Sequence, residues 1–142
     1  MITGQTIVPD ISRDRIMSTT LTKVAIIDDD PSVRKALVRV LSSERYSLSA
    51  FGSADDFLIS LNGNNPKCIL ADYQMPKMTG LDLFAQLHRR GLHIPTIIIS
   101  ANDASAMREA CTKAGVSAFL SKPFSRELLL QTVKIALRSQ VG

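Results

Sequence analysis

The sequence predicts a single α/β domain built on a doubly wound parallel sheet of five strands, with helices on both faces. Three observations predict it. The chain has 142 residues, close to one average domain. Short, nearly continuous apolar runs recur along it, as in parallel strands covered on both sides. Between the runs lie apolar stripes at helical spacing, so strand and helix alternate with no linker and no internal repeat.

The elements follow in order. Residues 1–20, MITGQTIVPDISRDRIMSTT, hold no sustained period and read as a poorly ordered extension ahead of a domain over 21–142; Met17 could be an internal translation start. Val24–Ile27, Ile69–Ala71, Ile97–Ile99 and Ala118–Leu120 are too short for helices and read as strands buried on both faces. Ser47–Phe51 alternates and suits an edge strand. The helical stripes are Val33/Leu37/Val40/Leu41, Ala54/Phe57/Leu58/Leu61, Leu83/Phe84/Leu87, Met107/Ala110/Cys111/Ala114 and Leu129/Val133/Ala136/Leu137. Asp30-Pro31 predicts an N-cap followed by proline at N1, and Ser53–Asp56 and Thr79–Asp82 have the spacing of capping boxes. Five strand–helix pairs suit the flavodoxin-like order 2-1-3-4-5.

Composition narrows the function. Hydrophobic residues are 45% and charged residues 21%, the balance of a globular chain rather than a disordered one. No apolar run reaches the roughly 20 residues of a membrane span, and the first 20 residues lack the apolar stretch of a signal peptide, so a soluble cytoplasmic protein is expected. Lys and Arg number 17 against 13 Asp and Glu, a net charge of +4 with no basic stripe, so direct nucleic-acid binding is not expected. Cys68 and Cys111 stand apart inside apolar segments and read as buried free thiols.

In a doubly wound sheet the ligand site lies beyond the carboxyl ends of the strands. Those ends carry Asp28-Asp29-Asp30, Asp72, Ser100 and Ser121-Lys122-Pro123. Crowded carboxylates need compensation, and an all-oxygen set suits Mg²⁺ while a lysine supplies a second positive charge. Such a site is built to hold a phosphoryl group, with a spare carboxylate as nucleophile. Taken singly each residue has a plainer reading: Asp30 is a helix cap, Asp28 or Asp29 a cap or loop acid, Asp72 a turn residue, Lys122-Pro123 a common loop dipeptide. Their joint placement is what points to chemistry. A Mg²⁺-dependent phosphatase with an aspartyl intermediate is the competing enzyme reading. Such enzymes typically carry a second acid two residues after the nucleophile, where this chain has Gln74.

The segments VAIIDDDPSVR, CILADYQMPKMTGLDL, IPTIIISAND and AFLSKPFS resemble, in order and spacing, a two-component response-regulator receiver domain of the CheY-like family, from Lys23 almost to the C-terminus. The resemblance implies a phosphoacceptor at Asp72. It also implies a Mg²⁺ site formed by Asp29 directly, Asp28 through water, Asp72 and the backbone carbonyl of Gln74. Ser100 matches the switch hydroxyl, Phe119 the switch aromatic and Lys122 the lysine that pairs with phosphoryl oxygen; the Lys122–Pro123 bond is expected to be cis. Expected partners are a sensor histidine kinase or histidine phosphotransfer protein, and a downstream output domain or protein reached through the strand 4/strand 5 face. A homodimer is possible, with Lys113, Arg126, Lys134 and Arg138 pairing with Asp103 or Glu109 across it. The chain departs from the family in its third acid, Asp30, in its N-terminal extension, and in Gln74, where the family tunes acyl-phosphate lifetime. No output domain follows the fifth helix, so either a stand-alone receiver or part of a longer regulator is expected.

Overall fold

The apolar runs pair side by side as parallel strands. The computed structural model describes residues 21–101 and 105–139, so the extension at 1–20 and Asp103 lie outside the described residues. Its elements are β1 (Thr22–Ile27), α1 (Pro31–Leu41), β2 (Tyr46–Phe51), α2 (Ala54–Ser60), β3 (Cys68–Asp72), α3 (Gly80–Arg89), β4 (Thr96–Ser100), α4 (Ser105–Ala114), β5 (Ala118–Ser121) and α5 (Arg126–Arg138). All strand pairs are parallel, in the order β2-β1-β3-β4-β5. This is the expected order.

Side chains alternate across a strand, so each central strand feeds two cores. Val24, Ile26, Leu70, Ile97 and Ile99 pack with Leu37 and Leu41 of α1 and Leu129, Val133 and Ala136 of α5. On the other face Ala25, Ile27, Ile69, Ala71 and Ile98 meet Phe57 of α2, Leu83 and Leu87 of α3 and Cys111 of α4. The sheet is therefore covered on both sides, which explains its unbroken apolar runs.

Helix starts are set by side chains that satisfy the orphan amides of the first turn. Asp30 accepts from the Ser32 amide at 2.9 Å with Pro31 at N1. Thr79 and Asp82 form a complete capping box, both bonds 3.0 Å long. At Ser53 only half of the expected box forms: Ser53 accepts from the Asp56 amide, and Asp56 does not return the bond.

Three expectations are corrected. β5 is not buried on both faces, because it is an edge strand and only Leu120 is buried. Of the stripe on α4 only Cys111 is buried, since the sheet ends at β5 and offers the helix little surface. Leu61 falls outside α2 and caps it in an extended conformation. Within the chain Lys113 pairs with Glu109 at 3.9 Å and Lys134 with Glu44 at 3.7 Å. Both cysteines are free and buried, as expected.

Candidate functional site

The parallel register carries the strand ends to one edge: Asp72 lies opposite Ile99, and Ser100 opposite Ser121. Just past β1, the Asp28 amide donates to the Phe51 carbonyl at 3.1 Å, which extends the pairing with β2 by one residue. The Asp28 carboxylate accepts from the Asp30 amide at 2.9 Å, and its backbone carbonyl accepts from Arg34 at 2.6 Å. Asp28 is thereby held at 2% exposure, whereas Asp29 beside it is exposed.

Asp72 closes β3, and the next amide, of Tyr73, donates to the Ile99 carbonyl at 2.7 Å. The loop beyond returns quickly: Met78 donates to the Pro76 carbonyl, Lys77 between them has φ 76°, and Gly80 donates back to the Tyr73 carbonyl. Gly80 must be glycine for reasons of space. A Cβ there would stand 2.6 Å from the Asp72 carbonyl oxygen and 3.1 Å from Ile98 Cδ1.

Lys122 comes from the opposite side. Its amide donates to the Ser100 carbonyl at 2.8 Å, and the Lys122–Pro123 bond is cis. Its ammonium lies 3.8 Å from Asp28 Oδ2 and 3.8 Å from Asp72 Oδ1. Oxygens of Asp28, Asp29 and Asp72 all fall within 4.8 Å of one another. Two carboxylates thus face one ammonium at longer than ideal ion-pair distance, with the third, Asp29, beside them.

The electrostatics follow from this arrangement. Burial pushes the Asp72 carboxyl up to about 6; the Asp28 charge adds to the rise, Asp29 contributes less, and Lys122 opposes it. Burial also raises Asp28, against the pull of the Asp30 amide and Lys122. Asp30 moves the other way, lowered by the hydroxyl and amide of Ser32, so it acts as a cap and not as part of the cleft. A cluster of hard oxygen donors short of positive charge fits a divalent cation of the magnesium class.

The structure brings together Asp28, Asp29, Asp72 and Lys122. Ser100 ends β4 at 1% exposure, Gln74 is exposed in the loop after Asp72, and Phe119 is half-buried on β5 opposite Ile98. Sequence reasoning does not find Arg34, Gly80 or Arg108. The first two act through contacts with backbone carbonyls, which leave no pattern, although the Thr-Gly step at the start of α3 was visible. Arg108 of α4 covers the Phe119 ring at 4.7 Å and donates to Ser121 Oγ at 2.9 Å.

Comparison with known proteins agrees with this geometry. A family model described as response regulator receiver domain matches residues 24–134. The response regulator protein TodT of Pseudomonas putida (strain F1) is 38% identical over 124 residues, which cover 87% of this chain and 55% of the relative. The response regulator MprA of Mycobacterium sp. (strain KMS) is 33% identical over 116 residues, covering 82% and 50%. The chain spans about half the length of these curated relatives. Among solved structures, the receiver domain of Francisella response regulator 1452 superposes with a TM-score of 0.78 at 27% identity, covering 84% of this chain and 98% of that one. A CheY-like receiver from Methanospirillum hungatei JF-1 shares the fold with a TM-score of 0.78 at 23% identity, covering 85% and 97%.

Proposed function

The chain belongs to the response regulator receiver family of two-component systems, and on that premise we propose that Asp72 accepts a phosphoryl group from a phosphohistidine donor. The observation that carries the reading is the Lys122 ammonium, equidistant at 3.8 Å from the carboxylates of Asp28 and Asp72. An Asp72 oxygen attacks phosphorus in line. The O–P bond forms as the N–P bond of the donor breaks, and the departing imidazole takes up a proton.

The nucleophile must be ionised, and with its carboxyl at about 6, Asp72 is mainly carboxylate at neutral pH. Lys122 then meets the charge that develops on the phosphoryl oxygens. Asp28, Asp29, Asp72 and the backbone carbonyl of Gln74 would hold a magnesium ion. When bound, that ion supplies further neutralisation of phosphoryl charge. Ser100 donates its hydroxyl toward the phosphoryl group, and Phe119 turns inward as it does so. The face formed by β4, β5 and their helices changes shape and is read by an output domain or a separate protein. A sensor histidine kinase or a histidine phosphotransfer protein is the donor. Among the described residues no helix is long and apolar enough to cross a membrane.

Native mass spectrometry after incubation with acetyl phosphate and Mg²⁺ tests this. Wild-type protein should gain one phosphoryl group, and labelling should collapse without Mg²⁺ or in Asp72→Asn. Equal labelling of Asp72→Asn refutes the assignment of the acceptor; undiminished labelling in EDTA refutes that of the metal.

A further inference from the structure

Helix α4 is lightly anchored. Its single buried side chain is Cys111, whereas α3 buries Gly80, Leu83, Phe84 and Leu87 and α5 buries Leu129, Val133 and Ala136. The edge strand beneath it, β5, buries only Leu120. A helix and strand so loosely packed can shift against each other at small cost. One side chain spans the gap between them. Arg108 lays its guanidinium over the ring of Phe119, 4.7 Å from the centroid, and donates from Nη2 to Ser121 Oγ at 2.9 Å. Phe119 and Ser121 are two residues apart on one strand, so their side chains share a face and a single planar fork engages both.

This double engagement restrains the ring. The attraction between a cation and an aromatic face is lost if the ring rotates away, while the bond to Ser121 keeps the guanidinium from following it. A lysine at 108 could supply the charge but not the fork.

We propose that Arg108 is a positioning residue acting through Phe119: it latches the ring in its half-exposed place and holds the unphosphorylated chain in the resting state. The inference rests on the reading of Ser100 and Phe119 as a coupled switch. Turning Phe119 inward requires breaking the Arg108 contact, so the latch sets how readily phosphorylation, or a chance excursion before it, reaches the switched form.

Incorporation of 4-fluorophenylalanine labels the chain's five phenylalanines, and Phe119→Leu identifies the signal of interest by its disappearance. In unphosphorylated Arg108→Ala that signal should move toward the position it takes in wild type treated with acetyl phosphate and Mg²⁺. The initial rate of labelling by acetyl phosphate should rise about two- to fivefold, the range expected for losing an exposed contact of this type. Arg108→Lys should fall between wild type and Arg108→Ala. Ser121→Ala, which leaves the guanidinium in place and removes its second tie, should move the signal the same way by less. An unmoved Phe119 signal in Arg108→Ala overturns the latch, as does an Arg108→Lys protein as displaced as Arg108→Ala. Failure of the wild type to take a phosphoryl group would instead overturn the acceptor reading, while the fluorine signal of the unphosphorylated variants still reports on the Arg108 contact.

Discussion

Asp72→Asn removes a buried negative charge without changing the shape of the side chain, and the metal-free protein should become more stable for it. The Asp72 carboxyl sits at about 6 against an ordinary 3.8, with its side chain 12% exposed. At 1.36 kcal/mol per pH unit of displacement, ionising it in the folded protein costs about 3 kcal/mol more than in the unfolded chain. The sign follows from which state holds the proton. Below about pH 4 the group is protonated in both states and the cost is absent. As pH rises toward about 6 the folded state alone retains the proton, and stability falls; above about 6 the full cost is present.

Urea unfolding followed by far-UV circular dichroism is the assay, since the chain has no tryptophan. In EDTA near pH 7.5, Asp72→Asn should be more stable than wild type by about 1–3 kcal/mol, and the gap should close by about pH 4. On the proposed metal site, Mg²⁺ at one hundred times its dissociation constant should stabilise the wild type by about 2.7 kcal/mol and so narrow or reverse the gap at neutral pH. A variant no more stable than wild type in EDTA, or a gap indifferent to pH, would refute the account of the cleft as a charge-strained site.

Three further outcomes are expected. Gly80→Ala forces a methyl group against the Asp72 carbonyl 2.6 Å away, and should cost about 1–3 kcal/mol in urea unfolding and slow phosphoryl uptake; wild-type behaviour in both would contradict the packing described. Leu129→Ala, at a side chain 1% exposed, should cost about 2–5 kcal/mol, while its neighbour Leu128, 44% exposed, should tolerate alanine within about 0.5 kcal/mol. Equal effects would mean that the face of α5 is misassigned. Burial pushes the Cys68 thiol to about 12 and also raises Cys111, so neither should react with a disulfide exchange reagent except as the chain unfolds; fast labelling in native buffer would show an open core.

Much of the fold was legible because central parallel strands are apolar on both faces and leave unbroken runs such as Ile97–Ile99. Helix starts were legible where one side chain decides them, as at Asp30 and Thr79. The rim of the sheet was not. Met107, Ala110 and Ala114 keep helical spacing, yet periodicity cannot show whether a strand lies beneath them, and beyond β5 none does among the described residues. The same lack of a neighbour leaves Phe119 half-exposed in a run that reads as buried. At the site, Asp28, Asp29, Asp72 and Lys122 could be brought together because parallel topology delivers every strand end to one edge. Arg34, Gly80 and Arg108 could not: the first two depend on backbone carbonyls, and Arg108 on two side chains of a neighbouring strand that only the folded chain brings to it.

The isoleucines of β4 have a wider consequence. Ile97 and Ile99 belong to one core and Ile98 to the other, and the same strand terminates in Ser100. A void opened beneath α5 and a void opened beneath α3 would therefore tug on one hydroxyl from opposite sides. Variants impaired in signalling should scatter through the interior on either flank instead of clustering around the acids.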